Sequence, residues 1–232
     1  MIDLLKNALA GLDAAQIVSY IAQNYGGRTV FSTSFGIEDQ VITAMLSKEP
    51  RQVSIFTLET GRLFPETYYV WNRTLERYGL RIKAFYPQAD AVEAIVSDKG
   101  PSSFYESVAN RKECCFIRKI EPLQRAIKGF DIWITGIRAE QSANREEMDF
   151  IEWDAANSIV KVHPLFYWSL EDVEAFLKQF NVPYNPLHDK GFPSIGCQPC
   201  TRAIKKGEDF RAGRWWWEDK SKKECGLHGS GK

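Results

Sequence analysis

The sequence predicts an α/β fold: a mainly parallel, twisted sheet with helices on both faces. Three observations carry this reading. Short runs of β-branched and aromatic residues alternate with stretches of helical periodicity, glycine follows several of those runs closely, and no internal repeat or low-complexity tract breaks the alternation. In sheets of this kind ligands bind beyond the carboxyl ends of the strands, so the loops there are the first candidates for a site.

The elements follow in order. Thr29-Val30-Phe31 reads as a strand end, with Gly36 a few residues on; Ile37, Val41, Ile42, Met45 and Leu46 then recur at helical spacing. Val53-Ser54-Ile55-Phe56 is a second strand, and 64–78 a helix with Pro65 suited to its start. Ile82-Lys83-Ala84-Phe85 is a third strand. A helix is expected over 114–127, with the cysteine pair at its amino end and Gly129 at its stop. Ile132-Trp133-Ile134-Thr135 is a fourth strand, and 159–162 a fifth. Ser169 caps a helix over 170–180, with Glu171 and Asp172 in its first turn. After about residue 190 the composition shifts to Gly, Pro, Cys, Lys, Arg and Trp. We expect one α/β domain over 1–205, with 206–232 a carboxyl-terminal tail of the same domain.

Composition narrows the class of function. With 44% hydrophobic and 26% charged residues in 232, the chain is not a disordered, collagen-like or small disulfide-framed protein. Its 30 Lys+Arg are matched by 30 Asp+Glu, which speaks against nucleic acid as a partner. The first ten residues lack a basic stretch leading into a long apolar run, and the first arginine is Arg28. No segment approaches the ~18–20 apolar residues that span a bilayer. The expectation is a cytoplasmic protein without membrane contact. In a reducing compartment its five cysteines are metal ligands or redox catalysts more often than disulfides.

Those cysteines are unevenly spaced. Cys114 and Cys115 are adjacent; Cys197 and Cys200 form Cys-Gln-Pro-Cys some eighty residues later; Cys225 stands alone. Four thiolates in two pairs suit a tetrahedral zinc or an iron–sulfur cluster. Adjacent helical residues diverge by about 100°, which is awkward around one small ion but natural around a cluster that offers separate iron atoms. The plainer readings are two buried thiol pairs, or a redox dithiol at Cys-Gln-Pro-Cys. Cys225 lies in Glu224-Cys225-Gly226-Leu227-His228, among Lys222, Lys223 and His228, where a thiol of lowered pKa can serve as nucleophile. An incidental tail cysteine is the alternative.

Three loops after predicted strands are suited to anions. They are Ser32-Thr33-Ser34-Phe35-Gly36, Leu58-Glu59-Thr60-Gly61-Arg62 and Thr135-Gly136-Ile137-Arg138, the last followed by Gln141, Ser142 and Arg145. Hydroxyls and backbone N–H groups at a helix start form an anion cradle, although no Gly-Lys-Ser/Thr of a nucleotide phosphate loop follows here. Arg211 and Arg214, beside Trp215-Trp216-Trp217, bring forked guanidiniums that suit phosphate or sulfate. Surface ion pairing is the ordinary alternative for Arg138 and Arg145, as core packing is for the tryptophans. His163 and His188 receive no role.

Together these motifs resemble the assimilatory adenylyl-sulfate reductases, relatives of the phosphoadenylyl-sulfate reductases. The resemblance runs from about residue 28 to 228; the paired cysteines and Glu-Cys-Gly-Leu-His are its specific parts. It implies an adenine nucleotide alpha-hydrolase-like fold and a [4Fe–4S] cluster held by Cys114, Cys115, Cys197 and Cys200. It implies Cys225 as nucleophile, with His228 orienting it and Lys119 a further catalytic cation. Ser32, Thr33, Ser34, Phe35, Gly36, Leu58, Thr60, Gly61, Arg62, Gly136, Ile137, Arg138, Arg145, Arg211 and Arg214 would bind the sulfonucleotide.

The implied reaction reduces adenosine 5′-phosphosulfate (APS) to sulfite and AMP through an S-sulfocysteine. Thioredoxin or a glutaredoxin-like protein would be the separate reductant, because no fused thioredoxin-like domain follows before Lys232, and a homo-oligomer is expected. The alternatives are the same reaction on the 3′-phosphorylated nucleotide, an ATP-dependent tRNA thiolation enzyme and a zinc-stabilised, non-catalytic module. Glu38-Asp39 replaces the Gly-Gly-x-Asp-Ser core of ATP-using relatives, which speaks against ATP activation.

Overall fold

A computed structural model describes residues 1–50, 53–141 and 148–218. Arg145, Cys225 and His228 lie outside these. The strands are β1 (Thr29–Ser32), β2 (Ser54–Leu58), β3 (Ile82–Phe85), β4 (Ile132–Ile134), β5 (Ile151–Asp154) and β6 (Ile159–Val162). They form one six-stranded sheet in the order β3-β2-β1-β4-β6-β5. β1 runs parallel to β2 and β4, with Phe31 opposite Ile55 on one side and Ile134 on the other, and β4 runs parallel to β6. The expected mainly parallel sheet is therefore present.

β5 is the strand the sequence did not disclose. It is antiparallel to β6 and forms one edge, with Glu152 opposite Lys161. Its two acidic residues, Glu152 and Asp154, obscure a strand signal that only pairing with β6 makes good.

The helices are α1 (Ile2–Leu9), α2 (Ala14–Tyr25), α3 (Ile37–Leu46), α4 (Pro65–Tyr78), α5 (Ala89–Lys99), α6 (Val108–Cys115), α7 (Glu121–Ile127) and α8 (Leu170–Gln179). α8 begins as expected, with a reciprocal capping box between Ser169 and Asp172. The helix expected over 114–127 requires correction. It starts at Val108, where the Ser107 side chain accepts from the Asn110 N–H, so Cys114 and Cys115 end the first helical stretch instead of opening it. A π-helical turn, Phe116–Ile120, follows directly, closed by an i→i+5 bond from the Glu121 N–H to the Phe116 carbonyl. Helix-terminal N–H groups are thus not what surrounds the cysteine pair. A π turn is costly in isolation and commonly marks a functional position.

The chain divides into two compact units interleaved in sequence. The first comprises Met1–Thr57, Tyr69–Lys83 and Gly129–Asn185; the second comprises Leu58–Tyr68, Ala84–Lys128 and, among the described residues, 186–218. In the first, Val18, Ile21, Phe31, Val41, Ile42, Ile132, Ile134, Val160 and Val162 form the core. In the second, Phe104, Cys200 and Trp215 are buried together, with Cys114, Cys115, Cys197 and Trp217 packed against them. Among the described residues no helix is long and apolar enough to cross a membrane.

Candidate functional site

The first unit carries two of the expected loops. After β1, the Phe35 N–H donates to Thr33 Oγ1 at 3.1 Å, and after β4 the Ile137 N–H donates to Thr135 Oγ1 at 3.4 Å. Each threonine hydroxyl thus closes a short turn on the backbone two residues ahead. Phe35 holds a left-handed conformation, φ 61°, and its ring stacks on Trp71 at 5.2 Å. A non-glycine residue in that region is held by its surroundings, here by the buried stacked ring. Ser32 Oγ accepts from Trp133 Nε1 at 2.9 Å, and Gly36 precedes α3 as its cap residue.

Two carboxylates from α3 fasten these loops. Asp39 Oδ2 accepts from both the Ser34 N–H (2.6 Å) and the Ser34 hydroxyl (2.8 Å). A Cβ at Gly136 would run into Asp39 Oδ1, so glycine is required where the β4 loop passes α3. Burial pushes the Asp39 carboxyl up to about 7, aided by the neighbouring Glu38 charge and opposed by the Ser34 bonds. Arg138 is buried: its Nε donates to Glu38 Oε1 at 3.0 Å and its Nη1 to Glu140 and the Trp168 carbonyl. The guanidinium expected to meet an anionic ligand therefore ties the β4 loop to α3.

The second unit gathers the four cysteines. Cys114, Cys115, Cys197 and Cys200 line one pocket together with Arg62, Phe104, Arg111, Arg118, Lys119 and Pro199. Among the described residues no three His, Cys, Asp or Glu side chains close around a point in the manner of a single ion's ligands. The Cys197 thiol donates to Thr60 Oγ1 at 3.3 Å. That oxygen also accepts from the Arg62 N–H at 3.2 Å, the same short turn as at Thr33 and Thr135. Arg118, from the π turn, donates to the Thr60 carbonyl at 2.6 Å, while Arg62 lies over the Phe104 ring.

The electrostatics separate the possible uses of these thiols. Burial pushes Cys200 up to about 12, the Cys197 charge adding to it and Arg214 and Lys119 opposing. Burial also raises Cys114, against Arg118 and Arg62. A redox dithiol needs a lowered pKa; a buried thiol held high becomes a thiolate when a metal displaces its proton, which is released to solvent. Cys200 is among the thiols held high.

The aromatic segment after Cys200 is packed. Trp215, itself at φ 40°, is enclosed between the guanidiniums of Arg111 and Arg214, each 4.8 Å from its ring. A Cβ at Gly196 would collide with the Arg214 guanidinium. Arg111 and Glu218 form a bidentate pair of 2.9 and 2.8 Å, with side chains only 1% and 3% exposed. Arg211 is half-buried, its N–H donating to Asp209 Oδ1. Sequence reasoning missed Asp39, Arg111, Arg118 and Glu218, because isolated charged residues carry no pattern. The threonine after each of β1 and β4, and two residues after β2, was a readable signal.

The sheet order, with loops at the carboxyl ends of parallel strands, is that of an open, mainly parallel α/β fold. The chain overlays an FMN adenylyltransferase of Candida glabrata with a TM-score of 0.55 at 17% identity, covering 93% of this chain and 79% of that one, a likeness of fold alone. A phosphoadenylyl-sulfate reductase from Candida auris, solved as a phosphate complex, matches at TM-score 0.74 and 28% identity over 88% of this chain and 96% of that one. An adenosine 5′-phosphosulfate reductase of Agrobacterium fabrum is 50% identical over 98% of this chain and 87% of its own length. One from Allochromatium vinosum is 53% identical over 86% and 78%. Residues 28–203 match the phosphoadenosine phosphosulfate reductase domain, and the chain belongs to that family.

Two predictions follow from the buried charges. Asp39 has its carboxyl raised in the fold from 3.8 to about 7, so the native state holds the proton more tightly than the unfolded chain. Its contribution is complete below pH ~4 and is lost as pH rises to about 7, a loss of up to roughly 4 kcal/mol. Denaturation of Asp39→Asn across this window should show a stability that falls less than the wild type's, with the difference levelling above pH 7. Arg111→Met should cost about 3–5 kcal/mol by leaving Glu218 buried and unpaired, and Arg111→Met/Glu218→Leu should recover much of it in urea unfolding.

Proposed function

We propose that this chain reduces adenosine 5′-phosphosulfate to sulfite and AMP in sulfate assimilation. The observation that carries the reading is the set of four cysteines lining one pocket, in a chain half identical over nearly its whole length to a relative named for that reaction. The donor set fits a [4Fe–4S] cluster: four thiols, the Thr60 hydroxyl beside Cys197, and Arg62, Arg118 and Lys119 to offset negative charge. Cys114, Cys115, Cys197 and Cys200 would hold it. When bound, the cluster supplies a polarisable charge centre and a staple between distant parts of the chain.

The remaining chemistry belongs to side chains. Cys225, as thiolate, attacks the sulfur of the phosphosulfate. The S–O bond to the phosphate breaks, AMP leaves with the electron pair, and the sulfonate stays on Cys225 Sγ. An anion is approaching an anion, so cations must offset both that repulsion and the charge growing on the leaving phosphate. We assign this to Lys119, Arg62, Arg145, Arg211 and Arg214, with His228 orienting Cys225. Arg138, already paired with Glu38, acts by holding its loop. The loops Ser32–Gly36 and Gly136–Arg138 receive the nucleotide, together with Leu58, Thr60 and Gly61.

A dithiol protein of the thioredoxin or glutaredoxin kind then attacks Cys225 Sγ. Sulfite leaves, and the second thiol of that protein resolves the mixed disulfide, taking the oxidation and freeing Cys225. Substrate sulfur is thereby reduced by two electrons.

Anaerobic turnover with thioredoxin, following sulfite and AMP, tests this. Sulfite should form from APS far faster than from its 3′-phosphorylated analogue, and the reverse preference would refute the substrate assignment. Cys225→Ser should retain iron and form no S-sulfonated protein by intact mass; turnover by that variant would overturn the nucleophile assignment.

A further inference from the structure

The β4 loop is backed by a buried hydrogen-bonded chain that the proposed reaction does not use. His163, fully buried just after β6, faces Thr135 just after β4 and Glu152 on β5. Its Nδ1 lies 2.7 Å from Thr135 Oγ1 and its Nε2 3.1 Å from Glu152 Oε2. Lys161, directly opposite Glu152 across the ladder, turns to Asp154 at 2.8 Å and leaves Glu152 to the imidazole. The Phe166 ring covers His163 at 6.2 Å.

The Ile137 N–H donates to Thr135 Oγ1, which keeps a second lone pair and its own hydrogen for His163 Nδ1. A carboxylate only accepts, so His163 Nε2–H donates to Glu152. With a neutral ring Nδ1 accepts from the Thr135 hydroxyl; with a protonated ring it donates to that oxygen. In either state every group in the row Glu152–His163–Thr135–Ile137 has a partner. Thr60 uses the equivalent hydroxyl toward Cys197, and at Thr33 the described bond is the turn alone. Only at Thr135 is the turn hydroxyl held by a second, carboxylate-backed side chain.

We propose that His163 is a positioning residue for nucleotide binding. It fixes the rotamer of the Thr135 hydroxyl and, through it, the Gly136-Ile137-Arg138 turn that the preceding section assigns to the substrate, on which this inference rests. β5, short and polar, serves to bring Glu152 to that imidazole. The effect falls on affinity for the adenylyl group and not on the sulfur chemistry, because the row ends on the backbone of a binding loop.

Thr135→Val keeps the shape and removes the hydroxyl; His163→Leu removes the ring nitrogen that meets it. Each should weaken AMP binding by calorimetry and raise KM for APS about tenfold, the loss of one buried hydrogen bond, with kcat within about twofold and iron content unchanged. Thr135→Ser and His163→Asn, which restore a hydroxyl and an acceptor, should return both values toward wild type. Thr135→Val/His163→Leu should be no worse than either single change, since both break the same row. Unchanged AMP affinity in Thr135→Val, additive losses in the double variant, or a fall in kcat at constant KM would each overturn the inference. Should His163→Leu fail to fold, Thr135→Val against Thr135→Ser decides it alone. Wild-type protein that makes sulfite but binds no AMP would instead overturn the assignment of this loop to the nucleotide.

Discussion

Four thiols in one pocket, Cys200 buried and the other three half-buried, are the constraint on which the second compact unit depends. A thiol in a low-dielectric setting resists ionisation, and Cys200, pushed to about 12, shows how strongly. Using such groups as ligands requires a metal to take the proton's place and cations to balance the charge gathered there. The unit supplies those cations from separate stretches of chain: Arg62 from the loop after β2, Arg118 and Lys119 from the π turn. The irregular turn has a physical rationale. Following directly on Cys115, it brings Arg118 and Lys119 to the pocket wall that holds the cysteine pair, and it places Arg118 on the Thr60 carbonyl. Trp215 is buried with Cys200, and Arg111, paired with Glu218, lies over its ring and lines the pocket.

The first unit solves a different problem, that of presenting backbone to a ligand without letting it wander. A threonine closes each turn on itself, a buried carboxylate of α3 holds the turn from beneath, and glycine stands where the β4 loop meets Asp39. Glu38 and Asp39 are adjacent yet do different work: one fixes Arg138, the other Ser34. Buried polar rows of this kind tolerate no missing member, because each group lost strands its neighbour without a partner. The same reasoning makes Thr135, His163 and Glu152 a unit.

Much of this was legible in the residues. Five strands and the α3, α4 and α8 helices announce themselves by periodicity and caps, and the two cysteine pairs by spacing alone. Other features were hidden for identifiable reasons. β5 reads as an acidic loop until β6 pairs with it. The start of α6 lies in Val108–Cys115, a polar stretch whose only marker is Ser107. The π turn has no sequence signature, since its cost is met by what it positions. The pairing of Arg138 was hidden because its partner Glu38 lies a hundred residues away in sequence. His163 lies beside Pro164 and was silent until Thr135 and Glu152 were seen on either side of it.

Mass-mapped alkylation of the native, anaerobically prepared protein bears most directly on the claim that four cysteines form one closed ligand set and the fifth is free to react. Iodoacetamide should label Cys225 alone, and all five cysteines once iron has been removed by a chelator. Labelling of Cys197 or Cys200 in the native protein at the rate of Cys225 would contradict the account.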